Sequence, residues 1–185
     1  MKSSMLGAEH VETLSARAWL AWAHFSLGTH SHALTGRLFE NIIRDMQSVL
    51  GHEHEETLSC LSGLASILCH TDKPNAFSFF EDVIARQKRV LGKDHPETLC
   101  SVNNLAWQRY RQEEFYEAYH LYKTAVEGQR DVLGRDHPDA ITSFFGLACV
   151  YSKIGKQDLA ASMFAEVAEL NIRVYGKNYL QLSGA

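Results

Sequence analysis

The chain has 185 residues, 45% of them hydrophobic and 22% charged, with a formal net charge of −4. That is enough apolar material for one domain or one short array of repeats. The charge is spread along the chain with no basic block, which argues against a nucleic-acid partner, and no run approaches the roughly eighteen apolar residues that a membrane-spanning helix needs. The first thirty residues do not read as a secretory leader, because Lys2 is the only basic residue before Gly7 and Glu9 and Glu12 interrupt the apolar run. Four cysteines, Cys60, Cys69, Cys100 and Cys149, fall inside helical patterns without a CxxC pair. They read as reduced thiols of an intracellular, cytoplasmic protein rather than a disulfide framework.

In chain order, one phrase recurs: LGAEHVETL from Leu6, LGHEHEETL from Leu50, LGKDHPETL from Leu91 and LGRDHPDAI from Leu133, with YGKNYLQL from Tyr175 opening a fifth. The glycines Gly7, Gly51, Gly92, Gly134 and Gly176 lie 44, 41, 42 and 42 residues apart. Such a period predicts an α-solenoid of stacked helix pairs. The expected boundaries are a tail at 1–5, one solenoid over 6–176 with repeats at 6–49, 50–90, 91–132 and 133–174, and a tail at 177–185 that starts an incomplete fifth repeat. Within the phrase, the glycine reads as a helix stop. Glu9, Glu53, Asp94 or Asp136 reads as the N-cap of the next helix, and Glu12, Glu56, Glu97 or Asp139 as the acid of a capping box. Pro96 and Pro138 fit a first helical turn.

Each repeat then holds two apolar helical patterns. First helices align Leu58, Leu61, Leu64 and Ala65 with Leu99, Val102, Leu105 and Ala106, and with Ile141, Phe144, Leu147 and Ala148. Second helices align Ala76, Phe79, Phe80, Val83, Ile84, Val90 and Leu91 with Ala118, Leu121, Tyr122, Ala125, Val126, Val132 and Leu133, and with Ala160, Met163, Phe164, Val167, Ala168, Val174 and Tyr175. Turns fall near Gly28, Asp72–Pro74, Glu113 and Gly155. Short turns imply antiparallel pairs, so the expected fold is all-α, with eight antiparallel helices.

The stretch NNLAWQRYRQEEFYEAYHLYKTA, Asn103 to Ala125, resembles a tetratricopeptide repeat, with Leu105, Ala106, Ala118, Tyr122 and Ala125 in the family's positions. The period and the phrase LGKDHPETL resemble the longer variety of kinesin light chains, also found in fungal and bacterial proteins behind NB-ARC or NACHT modules. The resemblance covers about residues 6–176 and implies a right-handed superhelix that binds proteins. No heptad run of the kind that joins kinesin light chains to a motor occurs in this chain. Arg109 stands where the family has Tyr, and Glu113 where it has Gly, which predicts a shifted turn in the third repeat.

No nucleophile motif, P-loop or dinucleotide fingerprint occurs, so no enzyme activity and no cofactor is expected. His10, His54, His95 and His137 recur with the repeat and read as helix-start residues. The pairs His30/His32 and His52/His54 lack further ligands at metal-binding spacing. A solenoid exposes its first helices along a concave groove, and one stripe of those helices is small and polar in the middle and aromatic at one end. It holds Trp22 in the first repeat, Ser62 and Ser66 in the second, Asn103, Asn104, Trp107 and Arg111 in the third, and Phe145 and Lys153 in the fourth. These are the candidate site residues for an extended peptide. Amides pair with peptide backbone, Trp107 or Trp22 anchors an apolar side chain, and Arg111 and Lys153 grip an acidic side chain or C-terminal carboxylate. By the resemblance, Asn104 matches the Asn with which such repeats hold a bound peptide. The competing reading has Asn103 and Asn104 bonding neighbouring helices, and Trp19 and Trp22 covering the open end of the stack.

Three functional readings follow. One is a non-enzymatic interaction module that binds a peptide. Another is the sensor or regulatory region of a larger nucleotide-switch protein. The third is a structural solenoid that self-associates through an unfinished C-terminal end at Val174, Tyr175 and Leu180.

Overall fold

A computed structural model describes residues 11–27, 32–71, 73 and 75–176. Eight helices appear among them, and no strand: α1 Val11–Ser26, α2 His32–Leu50, α3 Glu55–His70, α4 Ala76–Val90, α5 Pro96–Arg111, α6 Phe115–Leu133, α7 Pro138–Lys153 and α8 Gln157–Tyr175. The chain divides into two compact units, Met1–Lys93 and Asp94–Ala185, each with two helix pairs. Within each unit every helix packs on the next, and the first helices of its two pairs also touch. The opening phrase at Leu6, with Glu9 and His10, the turns at Gly28 and Asp72–Pro74, the His30/His32 pair and the fifth-repeat segment with Leu180 lie outside or partly outside the described residues.

The recurring phrase folds as helix stop and helix start, but its caps are not the predicted acids. The N-cap residues are His54, His95 and His137. Their Nδ1 atoms accept the backbone N–H of Glu56, Glu97 and Asp139 at 3.3, 3.3 and 3.2 Å. Nδ1 lies as many bonds from the backbone as an aspartate oxygen, so a neutral imidazole does the same capping work. Glu53, Asp94 and Asp136 stand one residue before these caps. Glu53 instead pairs with Arg89 at 2.5 Å, and Asp136 with Arg173. Glu56, Glu97 and Asp139 occupy the second helical position, so they form no capping box, but their charge still suits a helix N-terminus. Gly134, with φ of 89°, ends α6 in a conformation that a side chain would strain.

The predicted core faces are the observed ones. In the first unit Leu14, Phe39, Ile42, Met46, Leu58, Leu61, Leu64, Ile67 and Val83 form one buried cluster. In the second, Ala106, Ala118, Tyr122, Val126, Ile141, Phe144, Leu147, Met163 and Val167 form another. Each large member stabilises its unit by about 1.5–3 kcal/mol relative to exposure. The apolar pattern overreaches at its ends, where Val90, Val132, Val174 and Tyr175 are exposed. A Cβ on Gly128 would stand 2.6 Å from Leu99, only the first turn of α5, so Val132 runs past the start of its partner helix.

Glycines also set the spacing between pairs. A Cβ on Gly63 of α3 would stand 2.8 Å from the Phe39 ring of α2, and one on Gly146 of α7 would stand 2.2 Å from the Tyr122 ring of α6. In both units an aromatic ring of one pair therefore lies against bare backbone of the next.

The turn after α5 is not shifted, contrary to expectation. Glu113 takes a left-handed φ of 62°, where Gly155 has 82° after α7. Both turns close with the same bonds: Glu113 and Glu114 N–H to the carbonyls of Tyr110 and Arg109, and Gly155 and Lys156 N–H to those of Ser152 and Tyr151. Arg109 and Glu114 form an ion pair across the first turn at 2.6 Å, where the second brings the Lys156 ammonium over the Tyr151 ring at 5.6 Å.

Candidate functional site

The helical periodicity of α5 puts Cys100, Asn104, Trp107 and Arg111 on one stripe, and that of α7 aligns Thr142, Phe145, Cys149 and Lys153. The two helices lie side by side in one unit. Asn103 joins them: its Oδ1 accepts the Ser143 hydroxyl at 2.9 Å, while its amide donates to the Asn104 Oδ1 at 3.4 Å. The neighbouring-helix reading thus holds for Asn103, which ties the site together. Asn104 is half-buried and directs its amide toward the Cys100 sulfur at 4.0 Å. Arg111 is exposed and donates to the Gln108 side chain at 3.2 Å.

Two exposed aromatics supply apolar area. Trp107 is 45% exposed and lies nearly parallel to Tyr110, with centroids 5.6 Å apart and planes 15° apart. One indole face is covered by this stack. Phe145 is 48% exposed and tilts against Phe164 at 5.6 Å. Lys153 is exposed at the end of α7, as Arg111 is at the end of α5. The face therefore runs from half-buried amide and thiol groups, past aromatic rings, to two cations.

The thiols on this face are held neutral. Burial pushes Cys100 up to about 12, with Glu97 and Asp139 adding to the rise. Burial also raises Cys149, against a smaller lowering by its own backbone hydrogen bond and by Lys153. Neutral, half-buried thiols are poor nucleophiles. Burial likewise raises the hydroxyls of Tyr110 and Tyr122, both near Cys149. No group of three His, Cys, Asp or Glu side chains could hold a metal ion among the described residues.

The predicted site residues of the first unit stand elsewhere. Ser62 and Ser66 are 5% and 2% exposed and point into the core, so they offer nothing to a ligand. Composition alone makes that stripe look like surface, but the close approach of α2 at Gly63 turns it inward. Trp22 is half-buried against Phe39, edge to face at 6.5 Å, and is part of the core. Sequence reasoning did not find Ser143 or Tyr110, whose roles depend on the neighbouring helix and its own preceding turn.

Tetratricopeptide-repeat sequence models match residues 57–97 and 108–173, together more than half of the chain. The chain belongs to the tetratricopeptide-repeat family. Its repeats are of the kinesin-light-chain-like kind. Two solved structures of the nearly identical TPR-like repeats of a Podosopora anserina putative kinesin light chain are similar to it. One, a form with a single substitution, has a TM-score of 0.64 at 24% identity over 94% of this chain and 82% of that one. The other has a TM-score of 0.60 at 25% identity over 93% and 81%. BtubC (BKLC) from P. vanneervenii superposes with a TM-score of 0.70 at 16% identity, over 89% of this chain and 65% of that one, which speaks to fold alone. No curated protein matches the sequence. Tetratricopeptide repeats are protein-interaction modules, and scaffolds of this kind are generally non-enzymatic. No described helix is long and apolar enough to cross a membrane.

Proposed function

We propose that this repeat protein is a non-enzymatic interaction module that holds an extended peptide against the α5–α7 face. The carrying observation is the combination on one face of two exposed rings, Trp107 and Phe145, with two exposed cations, Arg111 and Lys153. Rings supply the anchor energy of a peptide contact, and the cations select an acidic side chain or a C-terminal carboxylate at the far end. Asn104 pairs with peptide backbone between them. Asn103 acts indirectly by holding α7 beside α5 through Ser143.

Peptide arrays probed with the full chain and with Asn104→Ala and Arg111→Ala test this. Acidic peptides are expected to bind, and Arg111→Ala to weaken them by about 1.5–3 kcal/mol, the worth of a charge-assisted hydrogen bond. Asn104→Ala is expected to cost about 1 kcal/mol. Binding unchanged in both variants would remove the groove reading.

A further inference from the structure

Trp107 and Tyr110 hold places that recur in every repeat. Fifteen and eighteen residues after the recurring glycine stand Trp22 and Phe25 in the first repeat, Ser66 and Cys69 in the second, Trp107 and Tyr110 in the third, and Cys149 and Ser152 in the fourth. The second and fourth repeats form the same helix pair with no ring at either place. The ring pair is therefore not a requirement of the fold.

The two repeats that carry rings use them differently. In the first, Trp22 is tilted 32° against Phe25 and meets the Phe39 ring edge to face, so the indole is half-buried in the core of its unit. In the third, Trp107 lies nearly flat on Tyr110, at 15°, and remains 45% exposed. With one indole face against Tyr110, the exposed area is the other face and the rim. Tyr110 is itself held on three sides. It packs half-buried on the core of its unit, the Phe115 ring meets it at 5.5 Å and 62°, and it lies near the Cys149 thiol of α7. Phe115 is the first residue of α6, so the α5–α6 turn closes the platform from behind. A tryptophan on an open helix face exchanges rotamers, and a ligand that uses it must first order it. Stacked on Tyr110, the indole already holds one orientation.

We propose that Tyr110 is the positioning residue of the α5–α7 peptide site. Its ring holds the Trp107 indole flat with the free face toward the ligand, so an apolar side chain of the peptide docks on a surface already in place. The inference rests on the peptide reading above and adds what makes Trp107 an effective anchor. The ring matters here and the hydroxyl does not.

The probe is the acidic peptide that binds tightest on the array, fluorescein-labelled and titrated into the full chain by anisotropy. Trp107→Ala is expected to weaken it about tenfold. Tyr110→Ser, which copies the fourth repeat, should weaken it about fivefold, while Tyr110→Phe stays within about twofold of the wild type. Tyr110→Leu, which keeps apolar volume without the ring, is expected to behave as Tyr110→Ser does. Added to Trp107→Ala, either change should cost nothing further, because no indole is left to hold. A second measurement needs no peptide. With Trp19→Phe and Trp22→Phe, Trp107 is the one tryptophan left of three. Its fluorescence anisotropy decay should gain a fast component in Tyr110→Ser and Tyr110→Leu, and none in Tyr110→Phe. Equal weakening by the Tyr110 changes with and without Trp107 is a purely structural effect and overturns the proposal. Binding that falls in Trp107→Ala but not in the Tyr110 variants, or an unchanged decay, also overturns it, and leaves the peptide reading standing. Binding indifferent to Trp107→Ala, Asn104→Ala and Arg111→Ala alike removes the peptide reading and this inference together.

Discussion

The two helix pairs of the second unit make the same turn from different residues. After α7 the left-handed position is Gly155; after α5 it is Glu113, with the same closing bonds. The reversal is imposed by packing of the pairs, not by the residue at the bend. The cost to Glu113 of about 1 kcal/mol is met by the packing of α5 and α6 and by the Arg109–Glu114 pair. The same pairs differ again where α5 has Asn104 and α7 has Gly146, whose backbone stands so close to the Tyr122 ring that it leaves no space for a side chain.

Exchanging residues between the pairs breaks or sharpens this comparison. Gly146→Asn, which gives α7 the side chain of α5, should have the largest effect. Overpacking against Tyr122 is expected to lower stability by about 3 kcal/mol in urea melts. Replacing the N-cap His95 with Ala should cost about 1 kcal/mol, since the Glu97 N–H loses its acceptor, and His137→Ala should match it. Glu113→Gly is expected to stabilise by about 1 kcal/mol, and Gly155→Glu to destabilise by a similar amount, read as opposite shifts in Tm. Glu114→Ala should lose roughly 0.5 kcal/mol, and the double change Arg109→Tyr with Glu114→Lys should recover most of it by copying the Tyr151–Lys156 contact. High pH offers a separate test. The unfolded Cys100 thiol ionises near 9 and the folded one only at about 12, so stability from this group is intact below pH 9 and is lost as pH rises through that window. Alkylation in the folded protein should accordingly remain slow at Cys100 up to strongly alkaline pH.

Much of the fold was legible because it is written in periodic form. The apolar spacing of residues such as Leu99, Val102 and Leu105 placed the buried faces, and the recurring glycines placed the helix ends. Cap identity was less legible: acid and imidazole offer an acceptor at the same reach, and two adjacent residues, Asp94 and His95, compete for one position. Burial of Ser62 and Ser66 was not legible at all. A serine stripe reads as surface until the neighbouring helix is seen to approach the adjacent Gly63. On the α5–α7 face, Trp107, Arg111 and Lys153 could be placed by counting along one helix. The Asn103–Ser143 bond could not, because it joins residues forty apart in the chain.

The Glu166 carboxylate binds two arginines, Arg130 at 3.0 Å and Arg135 at 2.6 Å. Arg130 belongs to α6, Arg135 to the loop before α7, and Glu166 to α8, so one carboxylate laces three segments across α7. Seen as a mechanical part, this lace changes how the unit should yield to a pull on its C-terminal end. Helix pairs held only by their nearest neighbours peel off singly, like pages from a pad. Here α8 cannot lift away without first releasing α6 and the loop. The first rupture in a force trace should therefore come at lower force in Glu166→Gln, and salt should lower it in the wild type more than in the variant.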